Sequence, residues 1–170
     1  PDRIVVMGSR SAISDAVVSR LSSGRTSVRV DAGTTMSLSQ KALVAATPAA
    51  ETVYLVDVRQ LAAAPVAAAT AAATGSGFLV VEGARPPSSG ALATLRAVGA
   101  RQIVFMNGTS GLPTSYGNAL RSEGFTVARL AGADRAGIAD SATAEYPSTT
   151  SRGVVTASSQ ATGFGSPAAT

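Results

Sequence analysis

Short, uninterrupted apolar runs alternate with helix-like segments along this 170-residue chain, and this alternation constrains the fold most strongly. The runs are short and rich in β-branched residues, as buried strands are. They are apolar at successive positions, which indicates strands covered on both faces. The pattern predicts an α/β fold in which Ala-rich helices flank a parallel sheet. The predicted strands cover residues 4–7, 28–30, 52–56, 78–81, 103–106, 125–127 and 154–157, with a helix over 136–145 before the last.

Local signals predict where the intervening helices begin and end. Pro113 suits a first helical turn, and Pro65 is expected to divide the Ala-rich helix over 60–74. In the first helix, Ala16, Val17 and Leu21 place apolar groups on one helical face. The candidate caps are Ser14, Ser37 and either Ser88 or Ser89 at N-terminal ends, and Gly99 and Gly124 at C-terminal ends.

The composition limits the kinds of functional site that this chain can form. The chain has neither Cys nor His, which excludes disulfides, thiolate metal sites and His-based catalytic triads. The net charge is +4, and within residues 1–30 five arginines are balanced by only two acidic residues, Asp2 and Asp15. This basic end is either a solvated surface or an attraction for an anionic polymer. No apolar run is long enough for a membrane helix, and the Ala and Arg bias is typical of a high-GC bacterium such as an actinobacterium.

The chain also contains an internal repeat. Residues 3–33 and 101–132 share a strand–turn–helix–strand pattern at a shift of 99 residues. A period near 100 divides the chain into one complete unit over residues 29–128, the end of a preceding unit over 1–28 and the start of a following one over 129–170. The two end pieces are expected to pair as a second, incomplete lobe. The matched residues in the first copy are Ile4, Val5, Met7, Leu21, Val28 and Gly33, opposite Ile103, Val104, Met106, Leu120, Val127 and Gly132.

Three local motifs have both a functional and a structural interpretation. The turns at Gly8 and at 107–108 follow strands and precede helices, where a phosphate can bind, yet neither matches a known phosphate fingerprint. Ser14 beside Asp15 has no His to activate it, so a helix N-cap is the better interpretation. The segment RLAGADR at 129–135 is either a turn with a cap at Asp134 or part of a polymer-binding surface.

These segments together resemble the cell wall-binding repeat 2 family. The resemblance rests on GSRSAISDAVVSRL at 8–21, QLAAAPVAAA at 60–69, FLVV at 78–81 and RLAGADR at 129–135, and it covers the whole chain. The chain departs from the family pattern at 29–36, which lacks the Asp-Arg pair, at Ala136, where the family has Tyr, and at both turns. The resemblance implies Rossmann-like or Toprim-like modules in an extracellular protein of the Gram-positive cell envelope.

The resemblance also implies a function: non-catalytic attachment of a protein to an anionic cell-wall polysaccharide or teichoic-type polymer. It implies no cofactor, no nucleic acid partner and no direct membrane span. The alternative is a structural or accessory subunit of an envelope complex, whose degenerate repeats contact other envelope proteins. A nucleotide-binding enzyme is a third hypothesis, disfavoured by the missing fingerprints. The candidate polymer-binding residues are Arg10, Arg25, Arg129, Asp134 and Arg135, with Phe78, Leu79 and Val80 in place of the family's apolar strand motif.

Overall fold

The computed structural model describes residues 3–107 and 111–130, and within them it confirms an α/β fold with parallel sheets flanked by helices. The strands are β1 (Arg3–Met7), β2 (Thr26–Val30), β3 (Thr52–Asp57), β4 (Gly77–Val81), β5 (Gln102–Phe105) and β6 (Thr126–Arg129). The helices are α1 (Asp15–Leu21), α2 (Thr35–Ala46), α3 (Ala64–Thr74), α4 (Ser89–Ala97) and α5 (Thr114–Ser122), with a 3-10 turn at Leu61–Ala63. The predicted elements over 136–145 and 154–157 lie outside the described residues.

The strands form two parallel sheets. One contains β1 and β2, and the other has the order β4-β3-β5-β6. Across the larger sheet, Leu79, Leu55, Phe105 and Arg129 lie side by side in one row. Because all neighbouring strands are parallel, their carboxyl ends meet at one edge of this sheet.

The larger sheet is covered on both faces, as its continuous apolar strands require. On one face, α2, α4 and α5 contribute Leu43, Leu95 and Leu120 to a cluster around β3, β4 and β5. On the other face, α3 packs through Ala67 and Ala71, which are 0% and 4% exposed. Small Ala side chains let this helix lie close to the sheet, so a core with few aromatic residues is still filled.

The helix boundaries follow local capping chemistry, with two differences from the prediction. The hydroxyl oxygens of Ser14 and Ser88 accept from first-turn backbone N–H groups, as expected for N-caps. The predicted cap at Ser37 is wrong, because Thr34 caps α2 and Ser37 completes a reciprocal capping box three residues later. Pro113 is itself the N-cap position and not the first helical residue. Pro65 divides the Ala-rich segment into the 3-10 turn and α3, as predicted.

The two β-α-β units share one topology, as the internal repeat requires. β1, α1 and β2 form the first unit, and β5, α5 and β6 form the second. The pairing of Arg3 with Thr26 and of Gln102 with Thr126 shows one extra residue in the second unit. The shift between units is therefore 99 residues at the first strand and 100 at the second, so the predicted match of Val28 with Val127 moves to Ala128. The bounds of the complete unit, 29–128, stay a prediction.

The first unit leaves apolar side chains exposed within the described part of the chain. The apolar face of α1 is not buried: Val17 and Leu21 are 46% and 53% exposed, and α1 has no buried residue. The reason is that the sheet beside α1 has two strands, whereas α5 lies on a four-stranded sheet, where Leu120 joins the core cluster around β3, β4 and β5. No helix among the described residues is both long and apolar enough to cross a membrane.

Candidate functional site

The sheet topology singles out the carboxyl ends of β3 and β5. From β3 the chain crosses to β4 on one side, and from β4 it returns to β5 on the other side of β3. In open parallel sheets, ligands bind in the crevice where the strand order reverses in this way. The loops after Asp57 and Phe105 border that crevice, so their polar side chains are the first candidates for a functional site.

Here the crevice is filled by the protein's own polar groups. Asp57 is 0% exposed, and its backbone N–H donates to Oδ1 of Asn107 at 2.6 Å. Nδ2 of Asn107 donates to the carbonyl oxygen of Gln60 at 3.1 Å, which joins the two loops. Nη2 of Arg59 donates to Oδ2 of Asp57 at 2.6 Å, and Nε donates to the same carboxylate. These contacts tie β3 to β5 where a doubly wound enzyme would keep an opening.

Two glycines allow the loops above this network to meet. A Cβ atom on Gly83 would lie 1.9 Å from the carbonyl oxygen of Gly111, and one on Gly111 would lie 2.6 Å from Oε1 of Gln60. Any side chain at either position would force the backbones apart. The close approach seals the crevice over Asp57.

The charge of Asp57 is retained despite its burial. Burial raises the pKa of this carboxyl, but hydrogen bonds from the side chain and backbone of Arg59 and its positive charge outweigh burial, so the pKa lies below its usual value. The pKa of Arg59 is raised in turn, chiefly by its hydrogen bond to Asp57. The pair is therefore ionised at neutral pH, and Nη2 of Arg59 also donates to the carbonyl oxygen of Gly111 at 3.4 Å, in the loop after β5. The described residues contain no cluster of acidic side chains able to hold a metal ion.

Arg129 holds the loop between β5 and α5. Its Nη1 donates to the carbonyl oxygen of Asn107, and its Nη2 donates to that of Leu112. The guanidinium carbon also lies 4.9 Å from the centre of the Phe105 ring, within range of a cation–π contact. Burial lowers the pKa of Arg129, although an arginine remains charged at any physiological pH.

Arg29 makes the equivalent contacts in the first unit. Its Nη1 donates to the carbonyl oxygen of Gly8 at 2.9 Å, and its Nη2 donates to that of Ile13 at 2.8 Å. Gly8 and Ile13 occupy the positions of Asn107 and Leu112 in the repeat. We call Arg29 and Arg129 the repeat arginine clamps. Sequence analysis missed Arg29, although RVDAG at 29–33 and RLAG at 129–132 begin alike.

The contacts of the clamp in the first unit argue against phosphate binding at the first turn. A phosphate cradle presents backbone N–H groups to the anion. In the first turn the carbonyl oxygens of Gly8 and Ser9 point at the Arg29 guanidinium instead. Gly8 has φ 131°, a conformation that favours glycine, which supports the structural interpretation of this turn.

The predicted polymer-binding arginines lie in different environments. Arg10 is 78% exposed and forms an ion pair of 3.2 Å with Asp15, and Arg25 is exposed. Both lie in the first unit. Arg129 is half-buried in its clamp on the larger sheet, so its interpretation as an exposed surface charge is corrected. Asp134 and Arg135 lie outside the described residues.

The predicted apolar motif lies on β4, an edge strand of the larger sheet as described. Leu79 is 0% exposed and Val80 is 4% exposed, because α2 packs on this strand and Ser39 Oγ accepts from the Val80 backbone N–H at 2.8 Å. The expectation that the Leu79 side chain contacts a polymer is therefore corrected: it is a core residue. Phe78 is half-buried against the α3 face, and Val80 borders the groove described next.

An open groove of about 340 Å³ lies beside the filled crevice, at the carboxyl end of β4. The first turns of α2 and α4 form its walls, and Glu82, Arg85 and Pro86 belong to the loop that borders it. We call this the Tyr116 groove, because Tyr116 of α5 lines it from the core side. The residues of this groove that matter below are Thr34, Met36, Glu82, Arg85, Gly90 and Tyr116.

Sequence analysis did not single out this groove, although two of its signals were present. Ser88 was identified as a helix cap, and a cap before α2 was expected three residues from its true position at Thr34. Helices that follow parallel strands begin at the carboxyl edge of their sheet, but α2 follows β2 of the smaller sheet and α4 follows β4 of the larger one, so the caps alone do not bring the two N-termini together. Which strands lie next to each other, however, depends on the tertiary structure.

The fold is similar to that of two solved cell wall proteins from Clostridium difficile. Cwp8 matches with a TM-score of 0.69 and 22% identity over 85% of this chain and 24% of Cwp8. Cwp6 matches with a TM-score of 0.56 and 16% identity over 68% of this chain and 18% of Cwp6. The chain thus spans about a quarter of the length of Cwp8 and less of Cwp6. No family model matches the sequence, and no curated protein matches it, so membership of the cell wall-binding repeat 2 family stays a prediction.

Proposed function

We propose that this chain is a non-catalytic, cell-surface module that attaches a protein to an anionic cell-wall polymer. The observation that carries the proposal is the fold shared with two cell wall proteins over most of the chain. The filled crevice supports the absence of catalysis, because Asp57, Arg59 and Asn107 occupy the place where doubly wound enzymes bind substrates.

Charge supports an anionic partner. The chain carries 14 Lys and Arg against 10 Asp and Glu. Arg25 is exposed, with no side-chain partner among the described residues, and Arg10 is 78% exposed. Guanidinium groups bind phosphate and carboxylate through paired hydrogen bonds, so exposed arginines suit teichoic-type or uronic polymers.

Sedimentation with purified Gram-positive cell walls tests the proposal. The protein is expected to sediment at low salt and to be released at high salt, because attraction between exposed charges is screened. Walls stripped of anionic secondary polymers are expected to lose the protein. Equal sedimentation with stripped walls would contradict the polymer as the partner. Measuring wall turbidity and released reducing ends in the same samples checks the absence of hydrolysis.

A matched pair of variants tests whether Arg25 contributes to the attraction for the polymer. Arg25→Gln is expected to weaken sedimentation, and Arg101→Gln is the control, since both side chains are exposed and lack a partner among the described residues. Arg101 lies directly before β5, in the larger sheet, whereas Arg25 lies directly before β2, in the smaller one. Equal effects of the two substitutions would indicate that net charge matters and that Arg25 has no particular role.

A second candidate function is a structural subunit of an envelope complex. Apolar side chains of the first unit favour it: Val5 and Met7 share one face of β1, and Val17 and Leu21 share one face of α1, at 36–53% exposure. Under this hypothesis, Met7→Ser with Leu21→Ser abolishes co-purification with envelope proteins and leaves wall sedimentation unchanged. Under the first hypothesis, co-purification does not occur with the unmodified chain.

A further inference from the structure

The walls of the Tyr116 groove present backbone N–H groups from two helices. The Thr34 hydroxyl oxygen accepts from Ser37 N–H, and the Ser88 hydroxyl oxygen accepts from Ala91 N–H. The N–H groups of Met36 and Gly90, at the second helical position of each helix, have no hydrogen-bond partner within the described residues. Both residues line the groove. Two helix N-termini therefore bring unpaired donors and the positive ends of two helix dipoles to one opening.

Tyr116 is an independent indication of a ligand. The residue is 3% exposed and lines the groove, and its hydroxyl has no hydrogen-bond partner within the described residues. Its ring is held edge-on to Phe105, with 6.1 Å between the ring centres, so the hydroxyl is fixed in place. The hydroxyl can therefore pair with an acceptor that enters the groove.

The hydroxyl is a donor under all physiological conditions. Burial raises the pKa of Tyr116, and the negative charge of Asp57 raises it further. The phenol therefore stays protonated at neutral pH and presents a proton to a ligand. The partner that fits such a donor set is a group rich in acceptor oxygens.

The charged side chains of the groove oppose each other. Arg85 is 78% exposed and Glu82 is 36% exposed, and Nε of Arg85 lies 3.8 Å from Oε1 of Glu82. At this distance and exposure the ion pair is weak, so Arg85 is free to turn toward an anion in the groove. Glu82 repels the same anion.

We infer that the Tyr116 groove binds one anionic oxygen group, phosphate or carboxylate, between the N-termini of α2 and α4. The Tyr116 hydroxyl and the N–H groups of Met36 and Gly90 donate to it, and Arg85 neutralises its charge. The inference deepens the proposed function by locating where one charged group of the polymer is held. It rests on that function only for the identity of the polymer.

Titration of the 15N-labelled full chain with sodium phosphate, and separately with sodium glucuronate, tests this inference by NMR. Sodium chloride holds the ionic strength constant. The amide signals of Met36 and Gly90 are expected to shift and saturate with one or both anions. Preference for phosphate indicates a phosphodiester polymer, and preference for glucuronate indicates a uronic one. Unchanged signals at both residues with both anions would overturn the inference.

Substitutions in the groove test the direction in which the affinity for the anion changes. Tyr116→Phe keeps the ring and is expected to weaken binding about tenfold, the usual effect of losing one hydrogen bond to a charged group. Arg85→Gln is expected to weaken it and Glu82→Gln to strengthen it. The controls are Tyr54→Phe, a 0% exposed tyrosine in the other core cluster, and Arg101→Gln. If Tyr116→Phe does not fold, opposite effects of the two loop substitutions support the inference, and equal affinities overturn it.

Wall sedimentation separates this inference from the proposed function. In one outcome, the unmodified chain, Tyr116→Phe and Arg85→Gln all sediment equally well with walls, and neither anion shifts the amide signals of Met36 or Gly90. Anion binding in the groove is then overturned, and the proposed wall function stands. If phosphate or glucuronate binds the groove but the chain never sediments, the wall function fails and the groove stands.

Discussion

Replacing Arg129 by Gln tests whether the repeat arginine clamp stabilises the larger sheet. The guanidinium donates to the carbonyl oxygens of Asn107 and Leu112, and these residues are 4% and 0% exposed. Gln at this position leaves both carbonyls without their charged donor and removes the contact with the Phe105 ring.

The magnitude follows from these contacts. Each buried acceptor left unpaired costs about 1–3 kcal/mol, and the cation–π contact adds about 0.5–2 kcal/mol. Release of the arginine side chain and entry of water recover part of this loss. We expect Arg129→Gln to lower the free energy of unfolding by about 2–4 kcal/mol, or the melting temperature by about 5–15 °C for a chain of this length.

Urea unfolding followed by far-UV circular dichroism measures the loss, with Arg101→Gln as the exposed control. Arg129→Lys keeps the charge but lacks the planar fork, so it is expected to recover less than half of the difference. A loss below about 0.5 kcal/mol for Arg129→Gln, equal to that of an ordinary surface change, would refute the clamp.

Three further predictions follow from burial and charge. Leu79→Ala is expected to cost about 2–5 kcal/mol in chemical unfolding, since the side chain is fully buried; a loss under about 0.5 kcal/mol would contradict its place in the core. The repeat equivalents Leu120 and Leu21 are expected to differ: Leu120→Ala costs about 2–5 kcal/mol and Leu21→Ala under about 1 kcal/mol, and equal losses would show that α1 is covered in solution. Folding lowers the pKa of Asp57, so the contribution of this carboxylate to the free energy of unfolding is present above the unfolded-state pKa of about 4 and is lost as the pH falls below it. The free energy of unfolding, measured from pH 6 to about 2, should therefore fall less steeply in Asp57→Asn than in the unmodified chain. Parallel curves would contradict the ion pair with Arg59.

The order of helices and strands could be predicted from local sequence because local physics determines it. Runs such as those over 53–56 and 103–106 are short and apolar at every position, as strands covered on both faces are. Ser14 and Ser88 cap their helices through bonds within one turn. The similarity of the two β-α-β units could also be found in the sequence, although one extra residue in the second unit shifted the match.

The site could not be predicted in the same way. Arg25 and Arg129 were both candidates for polymer binding, yet one is an exposed charge and the other clamps a buried loop, because Arg25 precedes β2 whereas Arg129 ends β6 beside the loop after β5. Leu21 and Leu120 match in the repeat, yet their burial is opposite, because α1 belongs to a unit with a two-stranded sheet and α5 packs into the core of a four-stranded one.

The sequence by itself determined the elements of this protein and its α/β class, since capping and hydrophobic patterns are local, and its internal repeat, since the two copies can be compared directly. The tertiary structure decided which polar groups pair with each other and which line an open groove. Strand order brings Asp57 and Asn107 together to fill one crevice, and it places the N-termini of α2 and α4 around Tyr116 to leave another groove open. Both outcomes depend on contacts between residues far apart in the chain, which no local pattern records.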